Sequence, residues 1–392
     1  MPHPTQLPFV QRSLFQSPTE QCDLRARGSV HEVRTQVGDP AWLVTDHGLV
    51  RRLLADDRLG RSHPEPSTAA RSGESALFGG PLGNYLSERT DHERMRSLIQ
   101  PHFTPKQMRA FSPRVEALVD QLLDEVASSA PEADVVSMLA TPLPILVICE
   151  LLGVPYEDRM MFRGWTQAAA DTQDRKRSEQ GVADLFGYGQ DLVAVKRHHP
   201  SDDVISRWCT TEGLDDDEIA MLSMALLFAG HETTVVQLGM GVLLLLAHPD
   251  QWQILTEEPS SLENAIDEIL RAPGKPSGGI PRYARTDLEI GGIAVAQGDL
   301  VLLDTGSANH DGNVFEDPER FDIGRPTASA HLSFGHGPRY CIGAPLARLE
   351  LRTALSGLVR RFPAMRLAVP TEDLEVHRGS LTGGLVELPV TW

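Results

Sequence analysis

The residues best suited to chemistry stand in two short runs. The first, Phe334-Gly335-His336-Gly337-Pro338-Arg339-Tyr340-Cys341-Ile342-Gly343, leads into an amphipathic stretch with Leu346, Leu349, Leu355, Leu358 and Phe362 at helical spacing. Cys341 thus stands just before a helix N-terminus. Unbonded N–H groups and the positive end of the helix dipole favour a thiolate there, the form that ligates a metal. Gly335, Gly337 and Gly343 let the loop turn and let a flat ligand lie close to the backbone. A lone cysteine is ordinarily a small buried hydrophobe, a description that fits Cys22, Cys149 and Cys209 but does not account for the glycines and Arg339 around Cys341. The second run is Ala229-Gly230-His231-Glu232-Thr233-Thr234, set in an apolar helical stretch. Glycine, an acid and β-branched hydroxyls all lower helicity, and burying the acid costs several kcal/mol unless it is satisfied, so something beyond packing should justify them. A pair of satisfied polar groups at a kink is one reading. A zincin site is excluded, because its second histidine falls at Val235.

Helical periodicity dominates from Asp91 to Pro273 and short β-type runs lie near both ends, which predicts a mainly α fold with small β-sheet regions. The second run sits in a proline-free stretch from Asp215, a candidate cap with Glu218 as its capping-box partner, to Ala247. At about 1.5 Å per residue such a helix spans roughly 50 Å and must cross the molecule. Ser261 is placed to cap a helix over Leu262 to Arg271, with Glu268 and Arg271 three residues apart. Trp42 to Thr45 reads as a strand feeding a helix opened by Asp46, Leu288 to Val295 as a hairpin, and Leu300 to Leu303, Met365 to Val369 and Leu385 to Val390 as further strands. Residues 60–87 collect Gly, Pro and Ser without periodicity, a long loop and a candidate lid. With no internal repeat or linker, one domain over 1–392 is expected.

Composition narrows the function classes. The 36 basic against 54 acidic side chains give a net charge of −18, which argues against nonspecific attraction to nucleic acid or anionic lipid. The 4 cysteines contain no Cys-x-x-Cys pair, so neither a disulfide framework nor a cysteine zinc site is suggested. The start lacks the basic and apolar regions of a signal peptide, and no run of eighteen apolar residues occurs, so a cytoplasmic protein is expected.

Phe334, Gly337, Arg339, Cys341 and Gly343 fall on every position of the Phe-x-x-Gly-x-Arg-x-Cys-x-Gly signature, and the chain resembles the cytochrome P-450 haem-thiolate monooxygenases of the soluble bacterial type along nearly all its length. The resemblance implies heme b (iron protoporphyrin IX) with Cys341 as the axial thiolate, and Phe334, Gly335, Arg339 and Gly343 around it. Leu-Phe-Ala-Gly-His-Glu-Thr-Thr at 227–234 is similar to the family's central-helix signature, which implies that Glu232 and Thr233 lie over the distal haem face and relay protons. Glu268 and Arg271 resemble the Glu-x-x-Arg pair, and Pro318-Glu319-Arg320-Phe321 the segment supplying its third partner, here Arg320. By the same resemblance the haem propionates would be met by His92 and Arg96, Arg282 and Arg339, although Glu88-Arg89-Thr90-Asp91 replaces the usual acidic-Pro-Pro lead-in to the histidine. Substrate would be met by Ala229, Gly278, Gly279, Ile280 and Leu381.

The implied activity is insertion of one atom of dioxygen into a small apolar substrate, by hydroxylation or epoxidation, in bacterial natural-product biosynthesis, with catabolism of an environmental compound equally compatible with the residues. Electrons would come from a separate ferredoxin and NAD(P)H-dependent reductase, since no Gly-x-Gly-x-x-Gly fingerprint follows a strand. Arg94, Lys106, Arg109, Arg348 and Arg352 are either a docking patch for that ferredoxin or scattered solvated cations. A peroxide-driven haem enzyme and a noncatalytic haem-binding protein are the alternatives.

Overall fold

The structure, a computed structural model, describes residues 5–11, 13–272, 278–377 and 383–392. Leu381, expected in the substrate pocket, lies outside the described residues. The helices are α1 (Thr19–Arg27), α2 (His47–Leu54), α3 (Glu88–Ile99), α4 (Pro105–Ser128), α5 (Pro142–Leu152), α6 (Arg159–Ala169) and α7 (Arg175–His198). They continue as α8 (Val204–Cys209), α9 (Asp216–Ala229), α10 (Glu232–Ala247), α11 (Pro249–Glu257), α12 (Leu262–Arg271), α13 (Thr305–Ala308) and α14 (Ala344–Arg361). The strands are β1 (Thr5–Gln6), β2 (Val30–Arg34), β3 (Pro40–Val44), β4 (Leu59–Gly60), β5 (Glu132–Asp134) and β6 (Ile280–Ala284). After them come β7 (Leu288–Ile290), β8 (Ile293–Val295), β9 (Leu300–Leu303), β10 (Arg366–Leu367) and β11 (Pro389–Thr391). The mainly α class with small sheets is as expected.

The chain forms two compact units, Met1–Arg94 with Asp267–Ile342, and Met95–Ile266 with Gly343–Trp392. The first is built on a six-stranded sheet of order β1-β2-β3-β9-β6-β4. Side-chain alternation gives that sheet two apolar faces. Val44, Val301 and Leu303 join Val50, Leu53 and Leu54 of α2 on one side, and Leu43, Leu300, Leu302 and Tyr283 join Leu7 and Leu24 on the other. All four residues of β9 are buried, as befits a strand covered on both faces. α2 starts where Asp46 implies, its carboxylate accepting from the Leu49 N–H at 2.7 Å. Residues 61–87 contain no helix or strand; the loop is held by its own contacts, Arg61 Nη2 donating to the Leu77 carbonyl and the Ser72 hydroxyl to that of Phe78, both at 2.9 Å.

The second unit is mainly helical, with α14 packed against both α4 and α10, α7 against α6 and α9, and a small sheet of order β10-β11-β5. The expected single long helix is instead two, α9 and α10, interrupted at Gly230-His231. Asp215 caps α9 as expected, accepting from Glu218 N–H at 2.8 Å. At the break Gly230 lies close to α5: a Cβ there would stand 2.9 Å from Ile148 Cδ1, so a side chain would require that tip to shift, and the next residue, His231, has φ −106°, ψ −77°. The segment Asp216–Ala247 is long and apolar enough to cross a membrane by length and composition, but its centre is polar and it packs against α5, α7 and α14.

Candidate functional site

In the first unit the cysteine loop is wound tightly. The Gly335 N–H donates to the Leu332 carbonyl (2.8 Å), Tyr340 N–H to Gly337 (3.0 Å) and Cys341 N–H to Phe334 (2.8 Å). Gly335 and Gly337 both sit at φ +72°, where a side chain is strained, and a Cβ on Gly337 would meet Ala55 Cβ at 2.7 Å. At Gly335 the Cβ direction is clear to 3.8 Å. Phe334 is steadied by the rings of His331 and Tyr340, at centroid distances of 5.7 and 6.1 Å. The Cys341 side chain is exposed, unlike the buried Cys149 and Cys209. Burial pushes the Cys149 thiol up to about 12, which leaves it an inert core residue. Gly343 is the N-cap of α14, two residues beyond the cysteine, with no side chain bonded to the cap.

Beside this loop lies a cluster of buried and half-buried arginines. Arg282 on β6 is 5% exposed, and burial, reinforced by Arg61 and Arg339, pulls its guanidinium down to about 9. Arg61 and Arg339 are lowered too, burial first, each by a further arginine as well. The carboxylate among them is Glu88, which pairs with Arg339 and, at 3.1 Å, with Arg285. It also accepts from the N–H groups of Arg61 (2.7 Å) and Ser62 (3.0 Å) and from the Ser62 hydroxyl. Burial alone would raise Glu88, but the Ser62 and Arg61 donors and Arg339 outweigh it and hold the carboxyl below its ordinary range. Four arginines thus face one carboxylate, and the Arg61 Nε is buried without a partner. Such an arrangement is complementary to an anionic ligand.

Arg282 and Arg339 were legible in the sequence; Arg61, Arg285 and Glu88 were not. The only sequence signal for them was an acidic residue opening α3. His92 and Arg96 lie half-buried, four residues apart on that helix. Because Glu88 has a depressed pKa in the folded state, its contribution is full above the unfolded carboxyl value and disappears as pH falls through the folded one. Glu88→Gln is therefore expected to cost about 1–3 kcal/mol at pH 7 and to converge with the wild type in acid, as denaturant midpoints measured across pH will check.

Glu268 and Arg271 form a fully buried bidentate pair at 2.7 and 2.9 Å. The expected third partner, Arg320, is corrected to Arg325. Arg325 Nε meets both Glu268 oxygens at 3.2 and 3.1 Å, whereas the Arg320 side chain is 63% exposed and pairs with Asp322. Arg320 contributes only its carbonyl, which accepts from Arg271 and Arg325, and a main-chain acceptor leaves its side chain free to face water. Arg271 Nη1 also donates to the Asn309 carbonyl at 2.9 Å. The Asn309 amide in turn holds Ser333 Oγ (2.9 Å) and Leu332 N–H (2.7 Å), so the network reaches the residues immediately before Phe334. Just before β6, Gly278 has open space where a side chain would be, whereas a Cβ on Gly279, at φ +81°, would lie 3.0 Å from the Leu302 backbone. Ile280 is half-buried beside them, paired with Leu303.

The second unit carries the acid and the alcohol. Thr233 Oγ1 donates to the Ala229 carbonyl at 2.9 Å, across the break between α9 and α10. Ala229 and Thr233 are exposed on a run whose other members are mostly covered, while Glu232 is 14% exposed. Burial raises the Glu232 carboxyl, opposed by the Arg163 guanidinium and the Gln167 amide, so the group holds its proton closer to neutrality than a free glutamate. His231 is fully buried, and burial pushes its imidazole down to about 3.

Comparison with known proteins followed the same lines. The sequence profile described as Cytochrome P450 matches residues 197–375. Pentalenolactone synthase of Streptomyces exfoliatus is 40% identical over 395 residues, covering 98% of this chain and 98% of that protein. Among solved structures, the thioether synthase SgvP, involved in the tailoring of griseoviridin, superposes with a TM-score of 0.92 at 34% identity, over 99% of this chain and 100% of that one. PimD, a polyene macrolide antibiotic pimaricin epoxidase, does so with 0.87 at 37% identity, over 100% of both chains.

Proposed function

The chain belongs to the cytochrome P450 family, and on that premise we propose that it is a haem-thiolate monooxygenase that inserts one atom of dioxygen into a small apolar intermediate of a bacterial natural product. Hydroxylation and epoxidation both fit the site. We take 1–392 as one haem-binding domain in the cytoplasm, supplied with electrons by a separate ferredoxin and NAD(P)H-dependent reductase. Relatives that match nearly the whole length support this reading, including an epoxidase. Of the cations considered for ferredoxin docking, Arg352 is paired with Glu263.

The observation that carries the proposal is an exposed thiol on a glycine-wound loop in the same unit as a cluster of buried and half-buried arginines. These residues fit heme b: Cys341 for the iron, Gly335 for close approach of a flat ring, and Arg282, Arg339 and Arg61 for two carboxylates. When bound, the haem supplies activation of dioxygen at a thiolate-ligated iron, where electron donation favours O–O cleavage. The chain's own residues manage the rest. Phe334 and the 332–335 turn fix the cysteine; Glu232, whose carboxyl burial raises, and Thr233, anchored on the Ala229 carbonyl, hold and move protons. Gly278, with open space beside it, leaves room for substrate next to Gly279 and Ile280. The test is turnover under ¹⁸O₂ with a surrogate ferredoxin and reductase. One labelled oxygen in the product supports the proposal, and unlabelled product or peroxide-only turnover contradicts it.

A further inference from the structure

Among the arginines beside the cysteine loop stands a buried carboxylate that the reaction above does not use. Glu88 opens α3, and its two oxygens are shared between separate segments of the same unit. Oε1 accepts from the Arg61 N–H at 2.7 Å and pairs with Arg339. Oε2 accepts from the Ser62 N–H at 3.0 Å and from the Ser62 hydroxyl, and pairs with Arg285 at 3.1 Å. Arg285 is held in turn by Tyr85, donating to its carbonyl at 2.7 Å with the guanidinium carbon 4.2 Å from its ring centroid. A Cβ on Gly60 would stand 2.7 Å from Glu88 Oε2, so the glycine leaves the carboxylate its place. Glu88 is therefore an anchored anion, and Arg339 is claimed twice: it is already paired with Glu88, and it is one of the residues that fit a carboxylate of the haem. Two anions that share one guanidinium repel, and each weakens the other's hold on it. With no anion at all, a half-buried arginine cluster would stand uncompensated.

We propose that Glu88 is an internal counter-ion that occupies Arg339 in the haem-free chain and competes with a haem carboxylate for it, so that this one acid sets how tightly the cofactor is held. It is a positioning residue, acting on the haem through Arg339. The arrangement exchanges cofactor affinity for stability: the arginines have a partner before haem arrives, and the same partner opposes the haem's carboxylates afterwards. This rests on the haem-thiolate reading, in which Arg339 meets a haem carboxylate.

The test follows haem leaving the loaded protein for an excess of apomyoglobin at pH 7. Glu88→Gln is expected to slow the transfer about tenfold, the lower end of what a hydrogen bond to a charged group is worth, although the same variant loses folding stability. A residue that only held the fold together would speed haem loss as stability fell, so faster or unchanged transfer in Glu88→Gln overturns the proposal. In protein reconstituted with haem dimethyl ester, which keeps the ring and iron but lacks the two charges, the slowing is expected to vanish, and an equal slowing also overturns it. Should the glutamine variant fail to fold, Glu88→Asp keeps the charge but draws it back by one methylene; it is expected to slow transfer in the same direction by a smaller factor, and unchanged transfer there counts against the proposal in the same way. Failure of the underlying reading looks different: a wild type that takes up no haem, or Arg339→Leu that loses haem no faster than the wild type, removes Arg339 from the cofactor site and the competition with it.

Discussion

Replacing Glu268 by glutamine is expected to cost about 3–5 kcal/mol of folding stability, because it leaves buried charge uncompensated. Glu268 is shared by Arg271 and Arg325, and all three side chains are almost wholly removed from water. Glutamine keeps the volume and part of the hydrogen bonding, so the loss reports the charge and not a cavity. Two guanidinium groups then remain in a low-dielectric interior, where even one unpaired ion is penalised heavily. The damage should reach the cysteine loop, since Arg271 also fixes Asn309, which holds Leu332 and Ser333. Haem content is expected to fall along with the denaturant midpoint. Arg320→Ala is the matched contrast: its exposed side chain pairs only with Asp322, and a change within about 0.5 kcal/mol is expected. Equal losses in the two variants would contradict the assignment of Arg325 as the third member.

Glu232→Gln is expected to lower product formation by about 10²-fold, the lower end of what a positioned acid or base contributes, with reduced haem spectra unchanged. The amide fills the same space but cannot hold and pass a proton. Thr233→Ala should act differently. It removes the hydroxyl that caps the Ala229 carbonyl at the break, so reducing equivalents are expected to leave as hydrogen peroxide while their consumption continues. Product formed per NAD(P)H consumed, with peroxide measured in parallel, separates the two. A peroxide-driven enzyme would be insensitive to Thr233→Ala, which makes this pair of variants the discriminating test between the two haem chemistries.

Much of this architecture was legible because its signals are local. Asp46 and Asp215 cap helices where a carboxylate precedes an apolar run, and the hairpin at 288–295 follows from Gly291-Gly292 between two short strands. The cysteine loop was legible for the same reason, since its glycines and its cysteine are close in sequence. What escaped depends on residues far apart along the chain. Glu88 has no local mark of importance until Arg61, Arg285 and Arg339 converge on it. Arg325 displaced Arg320 because only packing decides which of two nearby arginines turns inward. The break in the central helix was hidden as well. The break falls where Ile148 of another helix lies against Gly230, a contact that no periodicity in 216–247 records.

Cys341 would hold the iron of a haem, and the difference spectrum of the dithionite-reduced, carbon-monoxide-bound protein tests that assignment most directly. The wild type is expected to show the strongly red-shifted Soret band of thiolate-ligated haem, and Cys341→Ser to lose it. A protein that takes up no haem, or a serine variant with an unchanged band, would contradict the ligand assignment and the mechanism built on it.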